Sequence, residues 1–147
     1  MPREVIEAAI KKGADINAVD DKGVTVLMHA ISTCADPGII SLLLASGTKV
    51  NVGNKNYTPL MVAASLKDGA EKVKILLKAG ASVNNQENKG PTPLSMAVAR
   101  GGNLETVKLL VEAGADLSKK DSRGLTPLDY AEKNKKNDIA DYLRGKQ

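Results

Sequence analysis

Apolar positions along this chain come in blocks that return at a fixed interval. Residues 4–12, Glu-Val-Ile-Glu-Ala-Ala-Ile-Lys-Lys, place Val5, Ile6, Ala9 and Ile10 on one stripe and predict a short amphipathic helix. Gly13 follows as a left-handed cap, then the alternating Ala14-Asp15-Ile16-Asn17. The same passage recurs three times. Leu42-Leu43-Leu44 runs to Gly47, Ile75-Leu76-Leu77 to Gly80, and Leu109-Leu110-Val111 to Gly114. The cap glycines are therefore 34, 33 and 34 residues apart.

A second landmark keeps the same period. Asn56-Tyr57-Thr58-Pro59-Leu60 returns as Gly90-Pro91-Thr92-Pro93-Leu94 and as Gly124-Leu125-Thr126-Pro127-Leu128, with Gly23-Val24-Thr25-Val26-Leu27 as a degraded copy. Their threonines are 33, 34 and 34 residues apart. Each threonine can cap a helix through its hydroxyl, and the proline after it suits the first helical position. Leu60, Ala63 and Ala64 then face inward, as do Leu94, Ala97 and Val98. Lys67-Asp68-Gly69 and Gly101-Gly102-Asn103 break these helices, and Val73, Leu76 and Leu77, or Val107, Leu110 and Val111, open the next face. Each unit is a hairpin or turn finger, a short helix, a turn, a longer helix and a glycine cap. The expected fold is an all-α repeat solenoid, a single domain over 1–147. It divides into a half repeat at 1–19, repeats at 20–52, 53–86 and 87–120, and a terminal repeat at 121–147. The last repeat turns polar after Tyr130, as a terminal cap requires. The first lacks its inner helix, so either a single helix caps the stack or further chain precedes it.

The Thr-Pro-Leu and Leu-Leu-x-x-Gly-Ala signatures, with their period, resemble the ankyrin-repeat family over essentially the whole chain. The resemblance implies stacked helix-turn-helix units and the binding of another protein on a concave face. The family pattern continues with histidine after Thr-Pro-Leu, whereas Met28, Met61, Ser95 and Asp129 stand there, so the bracing of that histidine is expected to be missing. Asn56 replaces a turn glycine and is expected to take a left-handed conformation.

Composition narrows the chemistry. The chain has no Trp or Phe and only three Tyr, so its core must be built from Ala, Leu, Val, Ile and Met. The net charge of +4 is too small to argue for nucleic acid. One cysteine, Cys34, excludes an internal disulfide, and no apolar run is long enough for a membrane span. A soluble protein is expected, cytoplasmic by default and compatible with an extracytoplasmic setting. One histidine and one cysteine do not make a metal site or a convincing nucleophile pair. His29 shares its slot with Val62, Met96 and Tyr130 and is read as a packing residue, and Cys34 as a partly exposed passive thiol. We expect no catalytic residue, no cofactor, no metal and no small-molecule substrate.

The positive signal lies in the fingers. The residue three before each repeat threonine is Lys22, Lys55, Lys89 or Arg123, which puts one cation on each tip. Tips stacked ~8–10 Å apart would form a cationic ridge about 30 Å long. Val24, Tyr57, Pro91 and Leu125 stand just before the threonines as an exposed, mostly apolar row. Leu66 and Arg100 lie at inner-helix ends on the same side. The bland alternative is that exposed tips carry lysine for solvation alone. Lys72, Lys74, Lys78 and Lys108 read as an ordinary solvated convex face.

The expected partner site is thus Lys22, Val24, Lys55, Tyr57, Leu66, Lys89, Arg100, Arg123 and Leu125, with Tyr57 as anchor. The function expected is capture of another protein through an acidic patch on it, by a monomer acting as inhibitor or scaffold. The alternatives are a regulatory tail of a larger enzyme and, with few stacking aromatics to support it, nucleic-acid binding by the basic ridge.

Overall fold

A computed structural model describes residues 2–147. It contains nine helices and no strand among the described residues. Helix α1 spans Arg3–Lys11. Four helix pairs follow: α2 (Val26–Thr33) with α3 (Pro37–Ala45), α4 (Pro59–Ala64) with α5 (Ala70–Lys78), α6 (Pro93–Ala99) with α7 (Leu104–Glu112), and α8 (Pro127–Lys133) with α9 (Asn137–Lys146). The short helices α2, α4, α6 and α8 form an inner layer and the longer ones an outer layer. Each layer packs on its own kind in the neighbouring pair. The chain is an all-α repeat solenoid. Its fingers carry no ladder beyond one antiparallel bridge between Val19 and Thr25.

Local chemistry sets each inner helix. Thr25, Thr58, Thr92 and Thr126 are all N-caps, each accepting the amide of the residue three further on. The slot after Thr-Pro-Leu is less empty of hydrogen bonding than its residues suggest. Ser95 Oγ accepts the Thr92 amide at 2.8 Å, and Asp129 Oδ2 accepts that of Thr126 at 2.8 Å, closing capping boxes. Gly80, at φ 92°, ends α5 in the left-handed region, and the other cap glycines do likewise. Gly102 answers a different need. A Cβ there would lie 2.5 Å from the Ala97 carbonyl oxygen and 2.7 Å from that of Ala64, so adjacent units meet backbone to backbone.

The core is one continuous apolar column. Ala30, Ala63, Ala97 and Ala131 hold the same place on successive inner helices and are all buried. Leu27, Leu60 and Leu94 lie beside them, while Ile40, Val73 and Val107 face them from the outer layer at no more than 1% exposure. Alanine at this register lets helices approach without aromatic filler. At the start of the chain the expected stripe is only partly used: Ile6 is buried and Ile10 half-buried, but Val5 is 52% exposed and Ala9 is also exposed. Among the described residues no inner helix precedes α1 to cover them.

Polar ties join unit to unit. Asn17 Oδ1 accepts the Lys49 amide at 3.0 Å, Asn51 Oδ1 that of Ser82 at 2.8 Å, and Asn84 Oδ1 that of Asp116 at 2.7 Å. Asn51 and Asn84 also donate to the carbonyls of Gly80 and Gly114. At the far end of the inner helices a second set of ties reaches back. Lys72 Nζ donates to the carbonyls of Ile31 (2.7 Å) and Cys34 (2.8 Å), and Lys136 Nζ to that of Arg100 (2.7 Å).

Two expectations are corrected here. Lys72 is buried rather than solvated, because its slot belongs to the core, where Ile39, Thr106 and Ile139 stand in other units. Its stem crosses apolar surface, and its ammonium meets the negative end of α2, whose last carbonyls have no partner inside the helix. Cys34 is buried at 6% exposure under the same tie, so it is no partly exposed thiol.

Replacing Lys72 with Met should cost about 1–3 kcal/mol, since two carbonyls lose a charged donor. Lys74→Met, at an exposed position one turn face away, should stay within about 0.5 kcal/mol of wild type. Urea unfolding midpoints at unchanged slope measure both, and equal values would show that the Lys72 ammonium does not hold α2 to the next unit.

Candidate functional site

The fingers are built around a carboxylate or carboxamide that gathers backbone amides. Asp20 Oδ1 accepts the amides of Lys22 (2.8 Å) and Val24 (2.9 Å). Asp121 Oδ1 does the same for Arg123 (2.9 Å) and Leu125 (3.1 Å). In the α4 unit the gathering residue is one place later: Asn54 Oδ1 accepts from Asn56 at 3.0 Å and Tyr57 at 2.8 Å. That loop is one residue tighter and closes with the Asn54 amide on the Tyr57 carbonyl at 3.0 Å. It needs no left-handed residue, so Asn56, contrary to expectation, does not have a positive φ. In the α6 unit the left-handed residues are Asn88 and Lys89, at φ 50° and 56°.

Two fingers are braced to their own inner helices. His29 Nε2 lies 3.0 Å from Asp20 Oδ2. In the equivalent place the Tyr130 hydroxyl donates to Asp121 Oδ2. His29 is therefore no packing residue. Its side chain is 57% exposed on the concave side and serves the finger. The middle units have Val62 and Met96 at this slot and no such brace. The nine-residue interval Asp20…His29, repeated by Asp121…Tyr130, was the sequence signal for these pairs.

The electrostatics follow the geometry. The Val24 amide, helped by the Lys22 amide and by His29, holds the Asp20 carboxyl below the usual range against the opposing effect of desolvation. For Asp121 burial is the largest influence and pushes upward, but the Tyr130 hydroxyl and the amides of Leu125 and Arg123 together outweigh it and lower the value. Burial, then Asp121, raises the Tyr130 hydroxyl above its ordinary value. The Thr126 amide and hydroxyl lower Asp129.

Two concave clefts take in six of the nine expected site residues. The larger, about 800 Å³, is lined by Lys22, Val24, Met28, Lys55, Tyr57 and Val62. The smaller, about 210 Å³, is lined by Tyr57, Pro91, Met96, Arg100, Arg123 and Tyr130, among others. Tyr57 belongs to both. Lys22, Lys55, Lys89, Arg100 and Arg123 are exposed. The row Val24, Tyr57, Pro91 and Leu125 is half-buried rather than exposed, because each residue leads into a buried or half-buried threonine cap. Leu66 does not extend the row. It is half-buried, packs on the core and lines a separate cleft beside Lys72. Lys89 and Leu125 line neither of the two Tyr57 clefts. Sequence reasoning missed Met28, Val62 and Met96 as cleft walls, since nothing in a methionine or valine at helical spacing separates a wall from a core contact.

Among the described residues no group of three or more His, Cys, Asp or Glu side chains is placed to hold a metal ion. Among the described residues no helix is long and apolar enough to cross a membrane. What the site offers is a surface on a repeat solenoid, concave and rimmed by cations.

A family model described as ankyrin repeats (3 copies) matches residues 2–87 and 67–147. The chain belongs to the ankyrin-repeat family. It is also similar to an ankyrin repeat protein of Fowlpox virus (strain NVSL), 43% identical over 60 residues. That match takes in 40% of this chain and 12% of the viral protein, so the chain spans only a small part of that relative. Ankyrin repeats are generally protein–protein interaction modules.

The lowered carboxyls make a pH prediction. Unfolded aspartate titrates near ~3.9. A group held lower in the fold contributes stability that is complete above that pH and is lost as pH falls through its folded value. Asp20, Asp121 and Asp129 should therefore leave stability flat above about pH 5 and withdraw it below about pH 4. Tyr130→Phe removes the strongest lowering contact to Asp121, so its acid unfolding, followed by circular dichroism, should begin at higher pH than wild type. Superimposable curves would remove the brace from the account.

Proposed function

We propose that this chain holds another protein on its concave face, gripping an acidic patch of that partner with its fingertips and inner helices. The reading places Lys22, Val24, Lys55, Tyr57, Lys89, Arg100, Arg123 and Leu125 in the interface, with Tyr57 as its anchor. Leu66, beside Lys72, is left outside. The observation that carries it is an imbalance of charge on that face. Lys22, Lys55, Lys89 and Arg100 are exposed and make no ion pair among the described residues, and half-buried Tyr57 stands among them. Like charges in a row repel, so an opposite surface gains both by contact and by relief of that repulsion. Tyrosine suits the centre because its ring gives contact area for little entropy while its hydroxyl stays wet.

The mechanism is recognition by a rigid surface, with inhibition or scaffolding following from what the partner loses or gains by being held. The partner is a protein, and the holder works as a monomer. The stack needs no rearrangement to present the face, since the Asn17, Asn51 and Asn84 ties fix the fingers relative to one another.

Affinity capture from the native cell with wild type and with Tyr57→Ala/Lys55→Glu/Lys89→Glu tests the assignment. Partner recovery should fall by at least about 30-fold, the loss of a hot-spot residue alone. Equal recovery would remove the concave face from the interface. Generic duplex DNA serves as the contrast: a steep dependence of its binding on salt would move the cationic ridge to nucleic acid, and a shallow one keeps it with protein.

A further inference from the structure

The two clefts beside Tyr57 differ in chemistry, and the smaller is the more discriminating. We propose that it is a receptor for one carboxylate side chain, Asp or Glu, of an extended partner segment, while an apolar residue further along that segment fills the larger cleft on the other side of Tyr57. This rests on the concave-face reading and gives it a specific partner motif.

Two guanidinium groups line the smaller cleft. Arg100 is exposed at the end of α6 and makes no ion pair among the described residues. Its backbone is engaged, the amide donating to the Met96 carbonyl and the carbonyl accepting from Lys136, while its side chain makes no hydrogen bond among the described residues. Arg123 differs in being held in place. Its Nε lies 3.8 Å from Asp121 Oδ2, and its guanidinium donates to the Tyr130 hydroxyl. The side chain is nevertheless 64% exposed, so N–H groups remain for a ligand. Asp121 does not compete for that role. Its side chain is 8% exposed, and both its oxygens are occupied by the Arg123 and Leu125 amides and by Tyr130.

A guanidinium fork fits a planar carboxylate with two parallel hydrogen bonds, and an oriented fork loses less freedom on pairing. Pro91, Met96 and Ala99 give the cleft apolar walls beside the two guanidinium groups. At about 210 Å³ the cleft suits a side chain and not a helix. The larger cleft has Val24, Met28 and Val62 in its walls, with Lys22 and Lys55 and the carboxylate of Asp21 alongside, the surroundings of an apolar group. The clefts lie about two units apart, or ~16–20 Å, which five or six extended residues span.

The test is selection of binders from a random dodecapeptide phage library on the 147-residue protein. Fluorescence anisotropy of the enriched peptides then follows, against wild type, Arg100→Gln and Tyr57→Ala. Arg100 contributes no side-chain tie to the fold, so its variant should melt as wild type does. Enriched peptides should share an acidic residue five or six positions from an aliphatic or aromatic one. Arg100→Gln, and Gln or Asn in place of the peptide's acid, should each weaken binding about 10- to 30-fold, and together no more than either alone. Peptides that depend on Tyr57 but not on Arg100 or their own acid would overturn the carboxylate receptor and leave the concave face standing. Peptides indifferent to both residues would overturn the two readings together. Absence of enrichment would overturn the receptor for a linear segment and leave capture of a folded surface to the cell experiment above.

Discussion

No unit of this chain can bury its own inner face, and that constraint shapes everything else. A single helix pair has an apolar stripe on each side and only itself to cover one of them. The neighbouring pair covers the other. The alanine column of Ala30, Ala63, Ala97 and Ala131 brings neighbours close, and close approach forces backbone groups of adjacent units together, as at Gly102. Once backbones are that near, their unpaired polar groups need partners. The Asn17, Asn51 and Asn84 ties satisfy them at the fingers, and Lys72 and Lys136 at the inner-helix ends. Apolar burial and polar satisfaction are thus two consequences of one stacking distance.

The concave surface inherits its order from the same stack. A finger is anchored at its base by the threonine cap and at its side by the neighbouring unit's amide. Only the tip is left to vary. Asp20 and Asp121 fold their tips by collecting amides, and each is steadied by a side chain from its own inner helix, His29 or Tyr130. The middle units forgo that brace, and their freed slots, Val62 and Met96, become apolar cleft walls on either side of Tyr57. The slot that carries a brace in the α2 unit lines a cleft in the α4 unit, and Tyr130 in the α8 unit does both.

This explains what could be read from the sequence and what could not. Threonine caps, first-turn prolines and glycine ends act within four residues of themselves, so their spacing revealed the period and the helices. Lys72 acts across 41 residues on Ile31 and 38 on Cys34, and from its charge alone it reads as surface. His29 reads as packing because its slot holds Val and Met elsewhere, although Asp20 nine residues earlier gives it other work. Asn56 fails for a subtler reason. Its register predicts the left-handed turn of Gly23 and Gly124, but Asn54 shortens the loop and abolishes the need. The cations of the site were legible as a column, whereas their division between two clefts depends on how Tyr57 stands between units, which no local pattern encodes.

That division bears on how such a surface discriminates among partners. A uniform cationic ridge would hold any acidic surface, with affinity set by net charge and screened by salt. Tyr57 breaks the ridge into two compartments of unequal size and polarity. Under the proposal a partner must match spacing as well as charge, and one that is acidic but wrongly spaced would leave a guanidinium or an apolar wall without its complement. On the proposed concave-face reading, the cost of that mismatch, rather than the attraction of the cations, would make the face selective. Arg123, tied to Asp121 and Tyr130 before any partner arrives, would sharpen the penalty on the proposed reading, because an oriented fork loses those ties if it swings to meet a misplaced carboxylate.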